Sequence, residues 1–267
     1  IAAAATFQSF ANCYIREIDP GCTTCMTLEG CERDCLDWYL SAPRLYLRAV
    51  VATDSQVGPK AFGQIFSRHP GESVWHTTDP LWAVQCLVHD LSEKTKAESR
   101  PGAGLELMLR TLESCARIAS LAEQASERAL ENRPSGFIES EQSLVFGHWM
   151  HPTPKSLTGM SDWQSATYAP EGGGSFALSY FAADRSLVTS CSASIDLNTV
   201  VRNMAGDLLE KASLAEGEML LPMHPLQAQA LLLEPHVQAA IAAGRLRHLG
   251  SGGLSFTATS SVRTIAS

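Results

Sequence analysis

The sequence predicts an α+β protein, with a helical first half, a mixed β/α second half and a boundary in the polar stretch around 132–142. Three observations lead there. Apolar residues recur at helical spacing over 2–17 and again from about 104 to 131. The run Glu131-Asn132-Arg133-Pro134-Ser135-Gly136 then breaks that pattern. Beyond residue 170, short β-branched and aromatic runs alternate with helical stretches and turns marked by glycine and proline. The expected domains are therefore 1–135, mainly helical, and 136–267, mixed.

Residues 2–17 place Ala3, Phe7, Phe10, Ala11, Tyr14 and Ile15 on one face of a helix. A cysteine-rich loop is expected next, then a strand over RLYLRAVVAT, 44–53. The polar stretch 54–79 reads mostly as loop or short strand, and 80–93 as a helix with Asp79 as N-cap and Pro80 at its first position. In the helix from about Gly104 to Glu131 the expected apolar stripe is Leu105, Met108, Leu112, Cys115, Ala119, Ala122 and Ala125. SGFIESEQSLVFG restarts a helical pattern, with Ser135 or Ser140 suited to cap it. Further on, SFALSYFAAD and SLVTSCSAS read as strands, 197–214 as helix and EMLLPM as a strand end. A helix opened by Pro225, a helix closed by Gly244 and a β-prone, hydroxyl-rich tail complete the chain.

The 267 residues are 45% hydrophobic and 18% charged, as in ordinary globular proteins. A net charge of −8 argues against a nucleic-acid surface, which needs a basic footprint. No apolar run approaches a membrane span, and IAAAATFQSF has no basic leader region. Of eight cysteines, five fall between Cys13 and Cys35. In PGCTTCMTLEGCERDC, the pairs Cys22/Cys25 and Cys31/Cys35 allow a structural zinc or cluster, disulfides, or plain loop thiols. The apolar settings of Cys86, Cys115 and Cys191 favour a reducing compartment, hence the cytoplasm, and no metal ligand is assigned.

Three short segments carry candidate chemistry. In FGHWMHPTPKS, 146–156, His148 and His151 stand three apart, while Pro152 and Pro154 work against a continuing helix. Lys155 beside the histidines suits a carboxylate or phosphate better than a divalent cation, and the alternative is a structural loop. In PMHPLQ, 222–227, His224 stands at a strand-to-helix junction with Gln227 one turn further in; a satisfied structural histidine is the other reading. In TATSSVRT, 257–264, an extended chain puts Ser261 and Arg263 on one face as donors to phosphate oxygens, or leaves them on a solvated edge strand.

Taken in order, GHWMHPTPKS, YAPE, LPMHPLQ and SSVRT resemble the ATP-dependent siderophore synthetases of the IucA/IucC family, which work independently of nonribosomal peptide synthetases. FQSFANCYIRE is similar to that family's opening helix, so the resemblance spans nearly the whole chain. It implies a helical thumb over 1–135 and part of a mixed fingers domain after it, with a C-terminal palm missing. It also implies Mg-ATP as cofactor and citrate or a related polycarboxylate as substrate, condensed through an acyl-adenylate with an amine or hydroxyl nucleophile. Ser261, Arg263 and Thr264 match the segment that holds ATP phosphates. His148, His151, Lys155 and Ser156 match the lining of the cleft where nucleotide and acid meet, with His148 and Lys155 towards ATP and His151 and Ser156 towards the acid. His224 and Gln227 match a motif at the substrate side; no catalytic residue is assigned. The family tends towards dimers. Trp149, Leu157 and Leu226 depart from the family's proline, arginine and tryptophan. The chain is expected to be an N-terminal fragment, inactive alone. The rival expectations are a non-catalytic binding module of the same fold and a metal protein built on Cys22–Cys35.

Overall fold

The computed structural model describes residues 1–55, 58–96, 100–128, 136–157, 159–212, 214–259 and 265–266. Contacts divide the chain into two units: Ile1–Pro134 with Ser143–Met160, and Ser135–Gln142 with Ser161–Ser267. The segment 143–160, which carries the histidine–proline motif, thus packs with the first unit, although it follows the expected division at 135.

The first unit opens with helix α1, Ala2–Glu17, which buries Phe7, Phe10, Ala11 and Tyr14 at helical spacing, as the sequence predicts. Strands β1 (Cys22–Leu28), β2 (Cys31–Leu40), β3 (Leu45–Thr53), β4 (Ala61–Arg68) and β5 (His76–Thr77) form an antiparallel sheet in that order. Helices α2 (Pro80–Lys94) and α3 (Ala103–Arg128) complete the unit. One sheet face supplies Leu36, Trp38, Leu40, Leu47 and Ala49 to a core shared with α1 and with Ala83, Val84 and Leu87 of α2. Asn12 and Gln8 tie α1 to the start of β4: Asn12 Oδ1 accepts the Lys60 N–H at 2.8 Å, and Gln8 Oε1 the Phe62 N–H at 2.8 Å. Asp90 is fully buried and accepts from Tyr14 Oη (2.6 Å), Ser41 Oγ and the Ala42 N–H, and pairs with Lys94 at 2.8 Å. Burial opposes its charge, but these partners outweigh that and hold its carboxyl below the usual range.

Two expectations for this half are corrected. The first unit carries a five-stranded sheet beside its expected helices. The cysteine-rich segment is a hairpin rather than a loop. Glu29 (φ 51°) and Gly30 (φ 78°) form the two-residue turn that joins β1 to β2, in the left-handed conformation that matches strand twist. Strand alternation then sends Cys22 and Cys25 to opposite faces, while Cys31 and Cys35 share a face four residues apart on one strand. Among the described residues no group of three or more histidines, cysteines or carboxylates is placed to hold a metal.

The second correction concerns α3. Leu105 (68% exposed) and Leu112 (42%) face solvent, and the buried row is Thr111, Ser114, Cys115 and Ile118. The helix is rotated because part of its inner side serves the segment 143–160 through polar bonds rather than an apolar core.

The second unit holds α4 (Phe137–Gln142), α5 (Asp162–Tyr168), β6 (Ser175–Asp184), α6 (Leu197–Ala205), α7 (Leu208–Lys211), β7 (Glu218–Met223), α8 (Pro225–Leu231), α9 (Pro235–Ala242), β8 (Leu246–Thr257) and β9 (Ile265–Ala266). Its sheet order is β7-β6-β8-β9, all antiparallel, with Phe176, Leu178, Tyr180, Val201, Ala205 and Leu220 in the core. SLVTSCSAS, read as a strand, is instead a 3₁₀ turn over Arg185–Leu187 and an exposed loop; its hydroxyl-rich, largely exposed residues have no apolar face to bury. Among the described residues, no helix is long and apolar enough to cross a membrane.

Candidate functional site

The segment 143–160 builds its geometry from local rules. Gly147 takes φ +72°, and a Cβ there would come within 2.8 Å of Pro154 Cβ, so only glycine lets the chain double back. Two histidine turns follow. His148 Nδ1 accepts the Met150 N–H at 3.0 Å, and His151 Nδ1 accepts the Thr153 N–H at 3.1 Å. A ring nitrogen that accepts carries no proton, so in both rings the hydrogen sits on Nε2. Both histidines are exposed, and Pro152 and Pro154 prevent a helix from absorbing the turns.

This segment docks on α3 through two adjacent helix residues. Ser114 Oγ accepts the Lys155 N–H at 3.0 Å. The Glu113 carboxylate accepts Ser156 Oγ–H at 2.8 Å on one oxygen and the Leu157 N–H at 2.9 Å on the other. Lys155 is buried to 7% exposure, its stem within reach of Gly147. Four predicted residues, His148, His151, Lys155 and Ser156, are thus brought into one short, anchored segment. Glu113 and Ser114 were not foreseen as its support. The available signal was a serine and a glutamate side by side at the middle of a helix whose neighbours are apolar.

In the second unit, His224 is the N-cap of α8 and repeats the same turn, Nδ1 accepting the Leu226 N–H at 3.2 Å. Its ring meets Phe176 and Tyr168 edge-on, with centroids 4.6 and 5.0 Å away. Burial among these rings lowers its pKa below the ordinary histidine value. Tyr168 ends α5, whose capping box joins Ser161 and Gln164, and Pro170–Gly172 is a 3₁₀ turn with Glu171 buried. Gln227 is exposed on α8, and the neighbouring Gln229 bonds Gln164 at 3.0 Å. Ser261, Arg263 and Thr264 lie outside the described residues.

His148 and His151 each present an N–H donor at Nε2, with Lys155 in the same segment. Such a set suits carboxylate or phosphate oxygens and is a poor one for a cation, since a metal needs an unprotonated ring nitrogen.

Residues 136–267 match the model of the IucA / IucC family. The chain is 37% identical to a spermidine-citrate ligase of Bacillus anthracis, across 99% of this chain and 47% of that protein. It is 31% identical to the rhizobactin siderophore biosynthesis protein RhbC of Rhizobium meliloti, across 99% of this chain and 45% of that protein. The fold is that of an ATP-bound aerobactin synthetase IucA from Klebsiella pneumoniae, with a TM-score of 0.75 at 24% identity over 96% of this chain and 45% of that one. The chain thus spans about half the length of the curated relatives it matches. Residues 136–267 of this chain thus belong to the IucA / IucC family.

Proposed function

We propose that this chain belongs to an ATP-dependent synthetase that joins a carboxylate of citrate, or of a related polycarboxylic acid, to an amine or hydroxyl. The observation that carries the reading is the shared histidine turn, which fixes His148 and His151 as Nε2–H donors beside Lys155. The relatives named for joining citrate to spermidine or to L-2,3-diaminopropanoate support the acid and the nucleophile class.

In this reading a carboxylate oxygen of the acid attacks the α-phosphorus of ATP, and pyrophosphate leaves. The amine or hydroxyl then attacks the acyl carbon, and AMP leaves with formation of the amide or ester. Charge builds on phosphate oxygens in the first step, and fixed donors that need no reorganisation stabilise it. His148 and Lys155 serve the nucleotide, His151 and Ser156 the acid, with His224 and Gln227 on the acid's side and Ser261, Arg263 and Thr264 on the phosphates. His224, capped into an aromatic cluster, acts by shaping its surroundings. Mg²⁺ would travel with the ATP phosphates and neutralise part of their charge; no described residue is assigned to it.

A second reading, a binding module that keeps the fold without the reaction, is favoured by Leu157, which stands where the family pattern has arginine. Acid-dependent ATP–pyrophosphate exchange by the full natural chain separates the two. Exchange is expected with citrate, reduced about 100-fold or more in Lys155→Met. His151→Gln provides a second variant should Lys155→Met melt early. A folded protein that binds ATP but shows no exchange with any polycarboxylate would overturn the synthetase reading.

A further inference from the structure

In the second unit a cavity of about 550 Å³ opens between the loop that precedes α6 and the start of β7. That volume lies within the range of small-molecule sites, about 300–1,000 Å³. The cavity is separate from the His224 cluster. Strand β6 runs from Phe176, which packs on His224, to Asp184, next to the cavity's Arg185, about 25 Å at the rise of an extended strand. Arg185, Ser190, Ser194, Asp196 and Glu218 are among its walls. Local bonds fix those walls: the Arg185 N–H donates to the Gly217 carbonyl at 2.9 Å, and Ser192 Oγ–H to the Ile195 carbonyl. Asp196 caps α6, accepting the Thr199 N–H at 3.0 Å and Thr199 Oγ1–H at 2.7 Å. These bonds hold its carboxyl below the usual range, so it is charged at neutral pH.

The charges in the cavity are not all used. Glu218 is taken by Arg247, whose guanidinium donates to its two oxygens at 2.9 and 2.7 Å. Arg185 forms no ion pair among the described residues, although Asp196 lines the same cavity. One guanidinium and one carboxylate therefore face a shared space without meeting each other. A simple anion there is opposed by Asp196 and a simple cation by Arg185, whereas a molecule that carries both charges answers both. We propose that this cavity binds a free α-amino acid, its carboxylate held by Arg185 and its ammonium by Asp196. A guanidinium takes a carboxylate through two parallel bonds. A carboxylate has acceptor sites for about four donors, so Asp196 keeps capacity for an ammonium beside its capping bonds. The Ser190 and Ser194 hydroxyls can donate or accept as the ligand's side chain requires.

This proposal is independent of the synthetase reading, and its test reads binding rather than activity. Saturation-transfer NMR of the full natural chain with the proteinogenic L-amino acids is the first measurement, with calorimetry on those that respond. At least one is expected to bind with a Kd of about 10 μM–1 mM. Its N-acetyl and carboxamide derivatives, which lose the ammonium and the carboxylate respectively, are each expected to bind about tenfold more weakly or worse. Arg185→Gln and Asp196→Asn are expected to weaken the amino acid by about the same factor. Asparagine keeps the α6 cap, so the second variant stays folded, and circular dichroism checks both. His151→Gln is expected to leave amino-acid affinity unchanged. No binding of any amino acid up to about 10 mM, equal binding of either derivative, affinity indifferent to either cavity variant, or affinity lost in His151→Gln would each overturn the proposal.

Discussion

At His148, His151 and His224 the same ring atom accepts the amide two residues ahead, so the tautomer follows from a local turn and not from the surrounding site. What the local rule leaves open is the support. Glu113 holds Ser156 and Leu157 together, one carboxylate oxygen each, and Glu113→Ala leaves an amide and a hydroxyl without that partner. The expected cost is about 1–3 kcal/mol by urea denaturation, with faster hydrogen exchange at Leu157. Unchanged stability together with unchanged Leu157 protection would show that the carboxylate is not the anchor. Gly147→Ala forces a left-handed φ on a residue with a Cβ that meets Pro154, and is expected to cost about 1–3 kcal/mol on the same scale of measurement.

Helices were legible where caps and periodicity agreed. Asp79 Oδ1 accepts the Leu81 and Trp82 amides at 2.9 and 3.1 Å, as an Asp-Pro start predicts. Asp79→Ala is therefore expected to destabilise the protein by about 1 kcal/mol, read from the urea midpoint at constant slope. The hairpin β1–β2 was not legible, because its turn is Glu-Gly rather than Asn-Gly and its cysteines suggested ligands before strands. Its geometry now orders the thiols by reactivity. Cys22, Cys25, Cys31 and Cys191 are exposed, whereas burial pushes the Cys13 and Cys86 thiols up to about 11. A thiol reagent at neutral pH is expected to modify the exposed four in a fast phase and Cys13, Cys35, Cys86 and Cys115 slowly. A single uniform rate for all the thiols would contradict the burial pattern.

Over the whole molecule, pH acts through groups that bind protons differently when folded and unfolded. His224 has its folded pKa depressed by burial, while its unfolded ring titrates near 6.5. Below that value the unfolded chain takes up a proton the folded chain resists, so stability is complete above pH 6.5 and falls as pH drops. Thermal unfolding is expected at a lower temperature at about pH 5.5 than at about pH 7.5. His224→Asn keeps an N-cap acceptor and is expected to flatten that dependence; an identical slope in both proteins would remove His224 as its source. The α+β class, helices α1 and α2 and strands β3 and β6 all follow from spacing, caps and turn residues within a few positions of one another. The packing of 143–160 with the first unit and the rotation of α3 depend on which distant residues meet. Short-range periodicity constrains a residue's face but not its partner, and Ser114 with Lys155, 41 positions apart, is decided only when the chain has folded.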